Sequence, residues 1–181
     1  MSGRLILIAG RSGAGKTTLM RAASAAVSNL ERLQTTTTRP RRADEIDGQE
    51  YVFVSDERYE ALRAAAQAWD HLEYHGHKYG ADAGRIQTKL ASGVDLICTI
   101  TPDLRAVKLL ERAYGVSAIT IWLEVPKQLA NERIAGDAVR AARVETELAN
   151  PGFQHSFQPV GELAVDEVNF AAFVRSLLSE A

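Results

Sequence analysis

The stretch Leu5-Ile6-Leu7-Ile8-Ala9 runs straight into Gly10-Arg11-Ser12-Gly13-Ala14-Gly15-Lys16-Thr17, and this junction constrains the fold more than anything else in the chain. An unbroken aliphatic run ahead of a glycine is the pattern of a strand buried on both faces, so it is expected at the centre of a parallel sheet. The next eight residues fit G-x-x-x-x-G-K-[ST], and Leu19, Met20, Ala23, Ala26 and Val27 recur behind them at helical spacing. Strand, glycine-rich loop and helix in that order form the context in which the motif wraps phosphate. Backbone N–H groups and the helix N-terminus enclose the anionic oxygens, and glycine permits the close approach. Ser12, Gly13, Ala14, Gly15, Lys16, Thr17 and Thr18 are therefore candidate ATP-binding residues. Lys16 would add charge at the β and γ phosphates, and the Thr17 hydroxyl would ligate Mg²⁺.

Further aliphatic runs at Val94–Thr99 and Ser117–Leu123 alternate with helical patterns at Asp103–Tyr114 and Lys127–Ala135, opened by Pro102 and Pro126. A final strand is expected near Leu163–Val165, then a C-terminal helix with Asp166 as N-cap and Val168, Ala171, Val174 and Leu178 on one face. Such alternation behind a phosphate-binding loop implies a P-loop α/β three-layer sandwich around a mostly parallel sheet. Between Arg39 and Gly80 the alternation breaks. Tyr51–Val54 reads as a short strand, Ser55 caps a helix through Ala68, and Leu72–Tyr79 reads as a hairpin around His75-Gly76. The chain is read as one domain, 1–181, with a core of 1–34 and 81–181 and an acceptor-binding insert of 35–80. Inserts at the carboxyl ends of parallel strands commonly build a second substrate's site.

Composition limits the partners. The 181 residues carry a formal net charge of −2, which advertises neither a nucleic-acid nor a membrane surface. No stretch approaches the ~20 apolar residues that span a bilayer, and the short N-terminal apolar run lacks a cleavage-site pattern. One cysteine, Cys98, excludes an internal disulfide and fits a reducing compartment, so the cytoplasm is the expected location. Cys98 lies in an apolar strand pattern with no flanking base and reads as core, as do Trp69 and Trp122. His71, His75 and His77 lie close in sequence, but without cysteine they read as polar hairpin residues and not as a zinc site.

Thr35-Thr36-Thr37-Thr38-Arg39-Pro40-Arg41-Arg42, then Ile46-Asp47-Gly48-Gln49-Glu50-Tyr51-Val52-Phe53-Val54-Ser55, resemble the guanylate kinase family. The resemblance implies that Thr35, Arg39, Arg42 and Tyr51 hold the phosphate of GMP. Leu72-Glu73-Tyr74-His75-Gly76-His77-Lys78-Tyr79-Gly80 is similar to the family's Glu-x-x-Gly-x-x-Tyr-Gly hairpin. That likeness makes Glu73 the reader of the guanine edge and Tyr79 a phosphate ligand. The chemistry of the side chains agrees: arginine forks grip phosphate bidentately. A carboxylate accepts two parallel N–H bonds from guanine N1 and N2, which adenine cannot supply. The plainer alternative makes Arg39, Arg41 and Arg42 a solvated charge run.

The chain departs from the family's pattern at several positions. Ala81 stands where the family has a hydroxyl that touches the guanine oxygen, and Thr99-Ile100-Thr101 stands where it has Asp-x-Asp. The lid, at about 131–148, begins with Glu132-Arg133-Ile134 and ends with Arg143, but its middle is shortened to Ala135-Gly136-Asp137-Ala138, where Arg140 could substitute for a missing arginine. The family's adenine-side Asn aligns with Val165. The resemblance implies an ATP- and Mg²⁺-dependent transfer of the γ-phosphoryl to GMP or dGMP, with Lys16, Arg133 and Arg143 as catalytic residues, in a monomer or homodimer. Two alternatives stand beside it: a kinase for another phosphorylated acceptor, such as a modified nucleotide or sugar phosphate, and a binding module without turnover.

Overall fold

The computed structural model describes residues 2–43, 45–49, 51–66, 68–133 and 149–180. In chain order the strands are β1 (Leu5–Gly10), β2 (Leu30–Arg32), β3 (Thr36–Thr37), β4 (Val52–Phe53), β5 (Leu72–Tyr74), β6 (His77–Gly80), β7 (Asp95–Thr99), β8 (Ala118–Leu123) and β9 (His155–Phe157). The helices are α1 (Lys16–Ala26), α2 (Asp56–Ala65), α3 (Ala83–Ala91), α4 (Leu104–Tyr114), α5 (Lys127–Arg133) and α6 (Leu163–Ser179).

The main sheet runs β2-β7-β1-β8-β9 with every pair parallel. All six residues of β1 are buried, as the continuous aliphatic run requires of a central strand. Side chains alternate across the pleat. Ile6 and Ile8 pack with Leu19, Met20 and Ala23 of α1 and Phe170 and Val174 of α6, while Leu5, Leu7 and Ala9 pack with Ile86 and Leu90 of α3 and Val107 of α4. These are the three layers of an α/β sandwich. Trp122 and Cys98 lie in the second of these clusters, and burial pushes the Cys98 thiol up to about 12, so it stays a neutral core residue.

The C-terminal segment differs from the expectation. The last strand is His155–Phe157, and Leu163–Val165 instead opens α6. The short β9, half-exposed at a sheet edge, carries no aliphatic run to signal it. Asp166 lies in the first turn of α6 and not at its N-cap; its buried carboxylate accepts from Val160 N at 2.6 Å and Gly161 N at 3.1 Å. The inward face is Phe170, Ala171, Val174 and Leu177, while Val168 is exposed. Val165 is accordingly a helical residue, and Gln158 is the residue that follows the last strand.

The second sheet, β4-β3-β6-β5, comes from residues 36–80. α2 ends at Ala65, not Ala68, because residues 68–70 pair with the chain beyond β6: Ala83 N donates to Ala68 O at 2.9 Å and Asp70 N to Ala81 O at 3.1 Å. Fully buried Tyr59 of α2 pins the hairpin, donating to Tyr79 O at 2.8 Å and accepting from Trp69 Nε1 at 3.0 Å. Trp69 is thus partly buried and edge-on to Tyr59, with its ring centroid 5.6 Å away. Gly80 tolerates no side chain here, since a Cβ would stand 2.3 Å from Asp70 O and from Trp69 Nε1.

The core makes a direct prediction. Phe170 is fully buried and edge-on to Phe157 with its ring centroid 5.0 Å away. Phe170→Ala should lower the free energy of urea unfolding by ~3–5 kcal/mol. A loss under about 0.5 kcal/mol, the scale of a surface change, would contradict this packing.

Candidate active site

The carboxyl ends of β1 and β7 meet the second sheet across an open cleft of about 600 Å³. One end is the loop Gly10–Thr18. Gly15 takes the N-cap position of α1 with φ 84°, a left-handed conformation that side chains disfavour, and makes no side-chain cap. The first intrahelical bond runs from Leu19 N to Gly15 O at 3.0 Å, so the earlier N–H groups of α1 lack helical acceptors. No acidic residue stands in that first turn. An uncapped, electropositive helix start facing a cleft is a binding place for phosphate. The Lys16 ammonium donates to Gly10 O at 2.8 Å and Arg11 O at 2.9 Å, which holds it against the loop. Thr17 lines the cleft beside it.

Arg133, at the end of α5, also lines the cleft and reaches over the loop: a Cβ on Gly15 would lie 3.6 Å from its Nη1. Its Nη2 stands 4.0 Å from the buried Asp166 carboxylate. Arg143, Arg140 and the lid beyond Arg133 lie outside the described residues.

The opposite end is built by the second sheet. Thr35, Arg39, Arg42, Tyr51 and Tyr79 all line it. Arg39 is buried, not a member of a solvated charge run, and its guanidinium pairs with the equally buried Glu45, Nη2 to Oε1 at 2.7 Å and Nη1 to Oε2 at 3.0 Å. It also sits over the rings of Tyr51 and Phe53, 5.5 and 5.3 Å from their centroids. Burial works against the charge of each partner. The bonds and charge of the pair more than offset it, leaving Arg39 above its ordinary pKa and Glu45 below the usual carboxylate range. Tyr51 and Tyr79 meet edge to face with centroids 5.9 Å apart, and the Tyr51 hydroxyl stands 3.5 Å from Thr99 Oγ1 at the end of β7. Burial pushes the Tyr51 phenol up, so it remains a neutral hydrogen-bond donor.

Glu73 is not brought to the cleft. The turn at His75 (φ 50°) and Gly76 (φ 74°) joins β5 to β6 so that Glu73 pairs with Lys78 and Leu72 with Tyr79. Partners directly opposite in an antiparallel pair share a face, and successive residues alternate, so Glu73 points away from the side that carries Tyr79. Its side chain is 68% exposed, 3.6 Å from His71 Nε2. Besides Glu45, the acid that lines the cleft is Asp70. It is buried, its Oδ1 accepts from Ala81 N and its Oδ2 from the Tyr114 hydroxyl. Burial pushes its carboxyl above the ordinary range, and no cation among the described residues bonds to it. Parity along the hairpin was the available signal: with a two-residue turn, residues 70, 72 and 74 share the face of Tyr79. His71 spends its Nδ1 on the Tyr59 hydroxyl at 3.0 Å, and no group of three or more His, Cys, Asp or Glu among the described residues could hold a metal.

Residues 2–169 match the guanylate kinase family model. The chain is 35% identical over 140 residues to a guanylate kinase of Rubrobacter xylanophilus, spanning 77% of this chain and 72% of that protein. Over 158 residues it is 36% identical to a guanylate kinase of Thermosynechococcus vestitus, spanning 81% and 80% of the two. In fold it is similar to the crystal structure of guanylate kinase from Anaplasma phagocytophilum, with a TM-score of 0.65 at 19% identity over 97% of this chain and 86% of that one. A P-loop whose helix start is uncapped, an arginine-lined cleft opposite it, and a family match over nearly the whole chain together establish that this protein belongs to the guanylate kinase family.

Proposed function

We propose that the cleft moves the γ-phosphoryl of ATP to the phosphate of a guanine nucleotide, GMP or dGMP, with the two substrates entering from opposite ends. The observation that carries this reading is the pairing of an uncapped helix start and Lys16 at one end with Arg39, Arg42, Tyr51 and Tyr79 at the other. Each end offers donors suited to phosphate oxygens. Phosphoryl transfer asks mainly for positioning and for charge neutralisation. Lys16 and Arg133 supply the second from the loop side, and Thr35 adds a hydroxyl to the acceptor side.

The acceptor base is read by Asp70 in this account. Its carboxylate is desolvated by burial, and a ligand with two adjacent N–H donors would compensate it where a ligand without them would not. Guanine offers N1–H and N2–H side by side. Where the family has its further base contacts, Ala81 supplies no hydroxyl and Thr101 a hydroxyl in place of a carboxylate, which favours a looser grip on the base.

Mg²⁺ fits the donor set as a partner of the nucleotide. Thr17 offers a neutral oxygen at the loop, Thr99 and Thr101 line the same cleft, and both cleft-lining carboxylates named above, Glu45 and Asp70, belong to the acceptor end and are already bonded. Mg²⁺ keeps several waters and is commonly bound through substrate phosphates, so Thr17 and the phosphates would hold it. When bound it neutralises charge on the transferring group. No helix among the described residues is long and apolar enough to cross a membrane, and a cytoplasmic setting agrees with the single buried cysteine.

Four measurements test this reading. Lys16→Ala should cut ADP formation with GMP by ~10²-fold or more while leaving the thermal melt in place. Unchanged turnover would remove the kinase assignment. Asp70→Asn should lower kcat/KM for GMP by ~10–100-fold, the value of a charged hydrogen bond. The same variant carries a sign for stability. With its folded pKa raised, Asp70 contributes stability below its unfolded pKa that is lost as pH rises through the folded value, so at pH 7 the charge is a cost. Asp70→Asn, which keeps an acceptor oxygen for Ala81 N, should therefore melt no lower than wild type at pH 7, and a large drop would contradict the cost assigned to the charge. Finally, wild type should separate GMP from IMP poorly, and Thr101→Asp should widen that ratio. Phosphorylation of a non-guanine acceptor with none of GMP would instead favour a different phosphorylated substrate.

A further inference from the structure

We propose that Glu45 is a positioning residue of the acceptor-phosphate site, its carboxylate holding the Arg39 fork and the Arg42 main chain in the geometry that the phosphate meets. The inference rests on the reading of that end of the cleft given above. Glu45 is 6% exposed and Arg39 7%, so the contact is made away from water. The carboxylate gathers the whole segment. Oε2 accepts from Arg42 N at 2.9 Å as well as from Arg39, Arg42 Nη1 lies 3.5 Å from Oε1, and the Arg41 guanidinium donates to the Glu45 main-chain oxygen. Arg39 Nη1 also donates to Pro40 O at 2.9 Å, and Arg39 N donates to Thr37 Oγ1 at 3.1 Å.

This bonding divides the guanidinium. Its terminal edge is spent on Glu45 and Pro40, while Nε–H and the second Nη2 hydrogen have no hydrogen-bond partner among the described residues. The side edge of the fork is thus the part left for a ligand, and its orientation is preset by the other edge. Arginine has a long, rotamer-rich side chain, so a fork already held leaves less for the phosphate to order on binding.

The sign of one experiment separates this role from its rivals. Neutralising Glu45 raises the positive charge around the Arg39 fork by one. If attraction alone mattered, or if Glu45 occupied the phosphate's place and had to leave, Glu45→Gln would bind GMP more tightly. Positioning predicts weaker binding. The experiment is calorimetric titration of GMP, guanosine and a non-hydrolysable ATP analogue into wild type, Glu45→Gln, Glu45→Asp and Arg39→Ala. GMP affinity should fall roughly tenfold or more in Glu45→Gln, with guanosine and the ATP analogue unchanged. Equal or tighter GMP binding overturns the proposal, and so does a parallel loss for all three ligands, which is the mark of a merely structural contact. If Glu45→Gln does not fold, Glu45→Asp decides by the same criteria, since it keeps the charge but shortens the reach by one methylene. Undiminished GMP binding by Arg39→Ala would instead bring down the acceptor reading itself.

Discussion

Everything in the site depends on the start of α1 being left uncapped at the mouth of a fully buried strand. A helix end normally finds side-chain oxygens for its first N–H groups. Here Gly15 supplies a left-handed turn and no cap, and the first turn carries no acid. The loop is fixed from below by β1, paired between β7 and β8, and the Lys16 ammonium is held beside it by the Gly10 and Arg11 carbonyls. The N–H groups without helical acceptors then form a place for an anion, carried on a fully buried central strand.

The acceptor end is organised by a different principle. Its sheet is small and its strands are two to four residues long, so backbone pairing alone gives it little stability. Buried polar contacts take over: Tyr59 beneath the hairpin, Asp70 between Ala81 and Tyr114, and the Arg39–Glu45 pair. Two of these contacts carry charge, and the two charges are treated oppositely. Arg39 is compensated and preset, whereas Asp70 is buried with neutral donors only. A ligand carrying phosphate at one end and a paired N–H donor at the other meets a ready fork and relieves a desolvated acid.

How far the sequence carried varied with the kind of signal. The central strand, the phosphate loop and the layered fold were legible because aliphatic run, glycine spacing and helical period all agree in residues 5–27. The last strand was not, because His155-Ser156-Phe157 is short and mixed, while Leu163-Ala164-Val165 is an apolar run that belongs to a helix. Pleat parity takes Glu73 away from the cleft: a two-residue turn at His75-Gly76 pairs it with Lys78, on the face opposite Tyr79. Asp70 lies outside the hairpin strands and has no local signature beyond sharing parity with Leu72 and Tyr74. Glu45 was hidden for another reason. Its role comes from folding back onto Arg39, six residues earlier, and no periodic pattern records that contact.

If one cleft seats two phosphate-bearing substrates at its opposite ends, a single bisubstrate ligand should fill both. Adenosine and guanosine joined through five phosphates would occupy both ends at once and convert the second contact into an intramolecular one. The account predicts that this ligand binds at least ~10²-fold more tightly than ATP or GMP alone and competes with both. Affinity no better than that of ATP, or competition with only one of the two nucleotides, would contradict it.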